Sequence, residues 1–238
     1  GSRAPSKASR TSRSSARPAS RSALHGSLTR AVDTDQPCYE PPMDALYLDL
    51  DGTLLGPRGA LVRGEDGAWS LDGLRALEAC DRAGTEVVLM SGRGMRVLAE
   101  DARLIGQTSF IFEAGACVVL DGEEHWLTGD FRPGATSIHE QIDATGAPAL
   151  LLEHFAGSLE YHDPWHRNRD VSHLFRGVVD AFEVDALLAE HGHTGLRLID
   201  NGPVRDGKRA YHLVPEGVSK AGGVAFHMRA RGYDPARC

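Results

Sequence analysis

Cysteine is scarce in this sequence, acid is missing from its first thirty residues, and no long apolar run occurs along its 238 positions. Each absence removes a class of protein. Without about eighteen consecutive apolar residues there is no candidate membrane span, and no membrane partner is expected. The four cysteines, Cys38, Cys80, Cys117 and Cys238, lie far apart with no CxxC or ligand-like spacing. That pattern argues against a disulfide framework and a zinc site, and makes a reducing cytoplasm the expected compartment. The acid-free opening holds Lys7 and six arginines, so with a formal charge of −7 overall the remainder is clearly acidic. Nucleic acid is therefore not expected as a partner of the folded part. Residues 1–42 also have few large apolar side chains and cannot bury enough surface to offset the entropy of ordering. We read them as a disordered, basic, Ser/Arg-rich tail, either upstream sequence without a role or a segment with the composition of an organellar transit peptide.

From Met43 onward the sequence alternates. ALYLDL (45–50), EVVLM (86–90) and SFIFE (109–113) are short apolar runs bounded by turn residues, the pattern of buried strands. Between them LDGLRALEACDRAG (71–84) and GMRVLAEDARLI (94–105) have helical spacing, the first with Ser70 or Asp72 at its start and Gly84 at its end. This alternation predicts an α/β fold with a Rossmann-like parallel sheet covered on both faces. The rhythm breaks after the third strand. ACVVLDGEEHWL (116–127) predicts a hairpin turning at Asp121 and Gly122, and the following stretch mixes helices with strands at SHLFRGVVD (172–180) and LRLID (196–200). We read 129–204 as an inserted α+β cap between core segments 43–128 and 205–238. AYHLV (210–214) is expected to return to the core as a strand, followed by a helix, VSKAGGVAFHMRARG (218–232), with Val224, Ala225 and Met228 facing inward.

Two carboxylates close the first strand. Side chains i and i+2 of a strand share a face, so Asp49 and Asp51 converge at the carboxyl end, where ligands gather in parallel sheets. Their repulsion is relieved by a divalent cation or by protonation of one of them. With Mg2+ present, one carboxylate can attack a phosphoryl group while the other serves as acid and base. Gly52 lets the chain turn, and Thr53 offers a hydroxyl and an N–H to phosphate oxygens. An ordinary Asx turn would explain one Asp-Gly pair, not Asp49, Asp51 and Thr53 together. VVLMSGRG then puts Ser91, Gly92 and Arg93 between a strand and a helix, where a hydroxyl and backbone N–H groups can meet an anion. A simple helix cap at Ser91 is the competing reading, and GRG lacks the third glycine of a dinucleotide loop. In the cap, YHDPWHRNRDVSHLFRG (161–177) gathers His162, His166, His173, Arg167, Arg169 and Arg176 around Trp165. Arginine forks there suit a second anionic group on a substrate.

DLDGT after an apolar strand resembles the first motif, DxDGT, of the haloacid dehalogenase superfamily of Mg2+-dependent phosphotransferases. The resemblance implies Asp49 as nucleophile, Asp51 as general acid and base, and Mg2+ on the Asp49 carboxylate and the Asp51 backbone carbonyl. It implies Ser91 as the second motif and a phosphate-neutralising lysine as the third, with Lys220 in VPEGVSKAGGVAFHM the first candidate and Lys208 the second. The long interval between Ser91 and Lys220, and FEAGA (112–116) where relatives often have ENGA, is similar to the Cof-like branch, which includes sugar phosphatases and mannosyl-3-phosphoglycerate phosphatases; Ala114 stands where Asn is usual. The family's fourth motif, an acidic loop of GDSxxD type, has no counterpart after Lys220, where Asp234 is the sole acid. Its strand would lie beside ALYLDL, so the resemblance implies a C-terminally truncated enzyme with weakened metal affinity and stability. The implied activity is Mg2+-dependent hydrolysis of a small phosphorylated sugar or sugar acid through an aspartyl-phosphate. A phosphosugar mutase shares these motifs, and a catalytically incomplete phosphate-binding module is the remaining alternative.

Overall fold

The computed structural model describes residues 43–238, and the basic tail read at 1–42 lies outside the described residues. β1 (Ala45–Asp49), β2 (Glu86–Met90) and β3 (Phe110–Phe112) pair in parallel. The antiparallel hairpin of β4 (Cys117–Leu120) and β5 (Glu123–Trp126) completes a sheet of order β1-β2-β3-β4-β5. α1 (Asp72–Ala83) and α2 (Met95–Leu104) cover one face, where Leu77, Leu98 and Ala102 pack with Val87, Leu89 and Phe112. α6 (Lys220–Arg231) covers the other, over Val88, Ile111 and Val118. A sheet buried on both faces requires strands apolar at successive positions, and EVVLM and FIF meet that requirement. Asp49 is in register with Met90, so β1 and β2 end together and their following loops start side by side. No helix among the described residues is long and apolar enough to cross a membrane.

Between β5 and α6 the chain builds the cap. α3 (Ile138–Ala144), α4 (Ala147–His154) and α5 (Ala181–Glu190) pack on an antiparallel sheet ordered β6 (Leu159–Tyr161), β7 (His173–Gly177), β9 (Arg209–Pro215), β8 (Leu196–Pro203). Ser137 opens α3 with a capping box that includes Glu140. Alternation decides the faces of the sheet. Phe175, Leu198, Tyr211 and Leu213 join Ile142, Leu151 and Leu188 in the cap core. Leu174, Arg176 and His212, one position along their strands, fall on the opposite face.

β9 corrects the expectation that AYHLV returns to the main sheet, because its ladders are with β7 and β8. Tyr211 and Leu213 supply apolar surface that the cap core requires, so the chain regains the main layer only at α6 and the cap extends through Pro215. The inward face of α6 also differs from expectation. Gly223 and His227 are its buried positions, with Val224 and Phe226 packed partly beside them. A Cβ on Gly223 would lie 2.7 Å from Ile111 Cγ2, so glycine there lets the helix sit close to the sheet.

His227 brings a polar network with it. Its Nδ1 lies 2.9 Å from Tyr47 Oη, while Tyr233 Oη and Arg231 Nη2 donate to the two oxygens of Glu86 at 2.8 and 3.0 Å. Burial acts to raise the Glu86 pKa, but the contacts from His227, Tyr233 and Arg231 outweigh it and hold the carboxyl down at about 2. A depressed folded-state pKa means the Glu86 contribution is complete above the ordinary glutamate value and is lost as pH falls from there toward 2. Glu86→Gln is expected to lower the unfolding free energy at neutral pH by up to about 3 kcal/mol. Urea unfolding across pH 7 to about 3 checks this, since the variant should lose less stability over the acid part of that range than the parent.

Candidate active site

β1 ends on Asp49 and the chain turns at once. Gly52 takes a φ of +82°, and the N–H groups of Thr53 and Leu55 return to the Leu50 carbonyl at 3.2 and 2.8 Å. Asp49 Oδ1 accepts a hydrogen bond from Leu50 N at 3.0 Å and stands 3.1 Å from Lys220 Nζ. Lys220 is the first residue of α6, whose start is fixed by the Ser219 side chain accepting from Gly222 N. Asp51 faces a different cation. Arg93 Nη2 and Nε donate to its Oδ1 and Oδ2 at 2.6 and 3.0 Å, and Arg93 Nη1 donates to Asp101 Oδ2 at 2.9 Å. The repulsion between the two acids is thus relieved by two separate cations, a route besides the metal or the proton expected from the sequence. Both stay open to solvent, with side chains 37% and 61% exposed. Lys208, the other lysine considered, lies between β8 and β9 and pairs with Glu160 at 2.6 Å.

Ser91 follows β2 and is buried, with its Oγ accepting from Arg93 N at 3.2 Å. The N–H of Thr53, expected to meet a phosphate, is engaged within its own turn, and that of Arg93 by Ser91. The first N–H of α2, on Met95, donates to Asp170 Oδ2 at 3.3 Å. The Thr53 side chain is exposed. The cap turn 169–172 lies directly against this loop: Arg169 Nη1 donates to the Gly92 carbonyl at 2.8 Å. Glu113, fully buried after β3, accepts from the N–H groups of Asp170, Val171 and Ser172 at 2.8, 3.2 and 2.5 Å. Glu113 and Ala114 both take positive φ, 45° and 59°, a region that Asn tolerates better than Ala. Gly115 follows at 102°, where a Cβ would meet the Ser219 carbonyl oxygen at 2.0 Å, so backbone contact ties this turn to the start of α6.

The cap arginines do not form the expected grip on a second anion. Arg167 pairs with Asp163 and Arg176 with Glu160, and the Arg169 side chain is 7% exposed. The residues that reach the loop instead are His212 and Asn201. A Cβ at Gly92 would lie 2.7 Å from His212 Nε2 and 3.1 Å from Asn201 Nδ2, so glycine is required there for space. The sequence reading missed both, together with Glu113. The available signal was the alternation in AYHLV, which turns His212 away from the side occupied by Tyr211 and Leu213.

Among the described residues no group of three or more His, Cys, Asp or Glu could hold a metal ion. Mg2+ is commonly held by one or two carboxylates, with water and substrate phosphate completing its shell. Asp49 and Asp51, both solvent-accessible and two positions apart in the chain, fit that smaller requirement.

Solved structures of similar fold include protein 0175 of Thermoplasma acidophilum, with a TM-score of 0.54, 19% identity, and coverage of 81% of this chain and 73% of that one. A second is a phosphatase of the haloalkanoate (HAD) enzyme superfamily from Bacteroides thetaiotaomicron, with a TM-score of 0.52, 17% identity, and coverage of 83% and 76%. In sequence the chain is 35% identical over 105 residues to phosphoglycolate phosphatase of Pyrobaculum neutrophilum. That match spans 44% of this chain and 42% of the relative's length. No protein-family model matches the chain.

The three N–H groups converging on Glu113 set an expectation. An amide at this position turns an NH2 toward backbone N–H groups and leaves at least one of them unpaired. Glu113→Gln should therefore destabilise the protein by about 2–3 kcal/mol in urea unfolding.

Proposed function

We propose that this chain, whose fold is that of haloacid dehalogenase-like hydrolases, is a phosphomonoesterase acting on a small phosphorylated sugar or sugar acid. The reading is carried by one observation: a solvent-accessible carboxylate, Asp49, ends a parallel strand with the Lys220 ammonium 3.1 Å away. An Asp49 oxygen attacks phosphorus, the ester P–O bond breaks, and the leaving oxygen takes a proton that Asp51 has first gained from solvent on its release from Arg93. The Asp51 carboxylate then accepts a proton from a water whose oxygen attacks the phosphoryl group, releasing inorganic phosphate and restoring Asp49. Lys220 offsets charge on the transferring group, and the buried Ser91 holds the neighbouring loop in shape. Arg93 forks Asp51, so proton transfer requires the guanidinium to release that carboxylate, and an incoming phosphate is the anion that competes for it. Mg2+, held by the Asp49 carboxylate and the Asp51 backbone carbonyl, would supply further neutralisation of phosphate charge.

The local match to phosphoglycolate phosphatase supports a phosphorylated acid as the first compound to try. The scattered cysteines, of which Cys80, Cys117 and Cys238 are free, suit action in a reducing cytoplasm. Phosphate release from a panel of phosphoglycolate and sugar phosphates, with and without Mg2+, tests the proposal. Asp49→Asn should reduce turnover by at least about a thousandfold, and chelation of Mg2+ should suppress it. Unchanged turnover in Asp49→Asn would remove the nucleophile assigned here.

A further inference from the structure

The cap contains a pair of imidazoles that the chemistry above does not use. His139 near the start of α3 and His173 at the start of β7 stack face to face, with ring centroids 3.8 Å apart and planes 13° from parallel. Each ring donates to a backbone carbonyl on the other's segment, His139 Nδ1 to Ser172 O at 3.1 Å and His173 Nε2 to His139 O at 3.0 Å. A carbonyl oxygen can only accept, so these two nitrogens carry the protons and both tautomers are fixed. The His139 N–H adds a third bond, to the Asp170 carbonyl at 3.0 Å, and the start of α3 is thereby joined to the 170–173 turn. This is the turn whose N–H groups Glu113 collects and whose neighbour Arg169 reaches the Gly92 carbonyl.

One nitrogen of each ring is left to take a proton, Nε2 of His139 and Nδ1 of His173. His173 is 2% exposed, and its Nδ1 has no hydrogen-bond partner among the described residues. A bare lone pair is tolerable there, whereas an imidazolium would be a buried cationic donor without an acceptor, stacked on a second titratable ring. The surroundings relieve little of that charge. α3 brings His139 and Asp143, with Glu140 beside His139; β6 brings Tyr161, its ring 6.3 Å away; the loop after β6 brings His166, 3.2 Å from Asp163; and β9 places the apolar Leu213 opposite. Burial first, then the charge of His139, outweigh the His139 carbonyl and Asp143 and push the His173 pKa down to about 4. A lowered folded-state value on a base means that the contact is complete above the ordinary value of 6.5 and is lost as pH falls from there toward 4.

We propose that the His139–His173 stack is an acid-sensitive latch: with both rings neutral it fastens the 170–173 turn to α3, and a proton on His173 Nδ1 parts the rings and frees the turn that docks the cap on the core. The latch does not depend on the phosphatase reading. A ring that titrates at 6.5 when released and at about 4 when latched favours release about tenfold more at pH 5.5 than at pH 7.5.

Hydrogen–deuterium exchange of the full chain, read by peptide mass at the two pH values and corrected for the intrinsic exchange rate, tests this. Peptides covering 138–144 and 170–177 should lose protection about tenfold at pH 5.5, while β3, which contains no histidine, should change less than about twofold. His173→Gln keeps a donor near the Nε2 position for the His139 carbonyl but removes the proton site, and should abolish most of the loss. An equal loss in β3, no loss in the cap, or a loss that His173→Gln leaves in place would overturn the latch; the last result would assign the response to another imidazole, such as His212, which touches the turn through Ser172. Ring-nitrogen chemical shifts of the unsubstituted chain give a reading independent of folding in the variant. A protonated Nε2 and a bare Nδ1 on His173 are expected at pH 7.5; a protonated Nδ1 there, or its protonation with cap protection unchanged, would contradict the assignment.

Discussion

Two negative charges at the end of one strand are the constraint around which the rest of this fold is arranged. Asp49 ends an apolar strand and Asp51 stands in the turn that follows, and that segment supplies no cation to either acid. The compensating cations come from far along the chain. Lys220 arrives on the first turn of α6 after the whole cap has been built, and Arg93 arrives on the loop after β2, steadied by Asp101 of α2. Ion pairs this exposed contribute little to stability, commonly below about 1 kcal/mol. Their consequence is placement: a lysine and an arginine stand where β1 and β2 end, each paired with one of the two acids.

Placement of the cap depends on a second carboxylate, and here burial makes the energetics larger. Glu113 leaves β3 through a turn at positive φ, and its oxygens collect the N–H groups of the 170–172 segment in the interior. Removing one partner from such a buried cluster leaves groups desolvated without compensation. The adjoining Arg169 joins the cap to the Gly92 carbonyl and, through Ser172, to His212. One connected set of hydrogen bonds therefore runs from the end of a core strand, across the cap turn, to the imidazole that abuts Gly92. Such a network sets geometry more than it adds stability, because each member is defined by its neighbours.

Much of this was legible in the sequence because it rests on local patterns. The strands around Val87–Leu89 and Phe110–Phe112 announced themselves as apolar runs, Gly84 terminated α1 where a left-handed residue was required, and Asp121-Gly122 turned the hairpin. The approach of Lys220 to Asp49 followed from a motif resemblance rather than from spacing alone. What could not be read was pairing at long range. AYHLV has the character of a buried strand in either sheet, and only its ladders with β7 and β8 assign it to the cap. The arginines around Trp165 looked like an anion site because sequence shows the cations and not their partners; Asp163 and Glu160 engage two of them, and Glu113 shares in enclosing the third. Gly92 and Gly223 gave no sign that they were needed for space, because the atoms they accommodate belong to distant elements.

The central claim is that Asp49 becomes covalently phosphorylated. Rapid acid quenching of the protein during turnover of a phosphomonoester, followed by peptide mass analysis, tests it most directly. The account predicts the added mass of one phosphoryl group on the peptide containing Asp49, removable by hydroxylamine as an acyl phosphate requires and missing when Asp49 is replaced by Asn. Phosphate release that proceeds with the group on another residue, or with no covalent intermediate on Asp49 at any quench time, would contradict it.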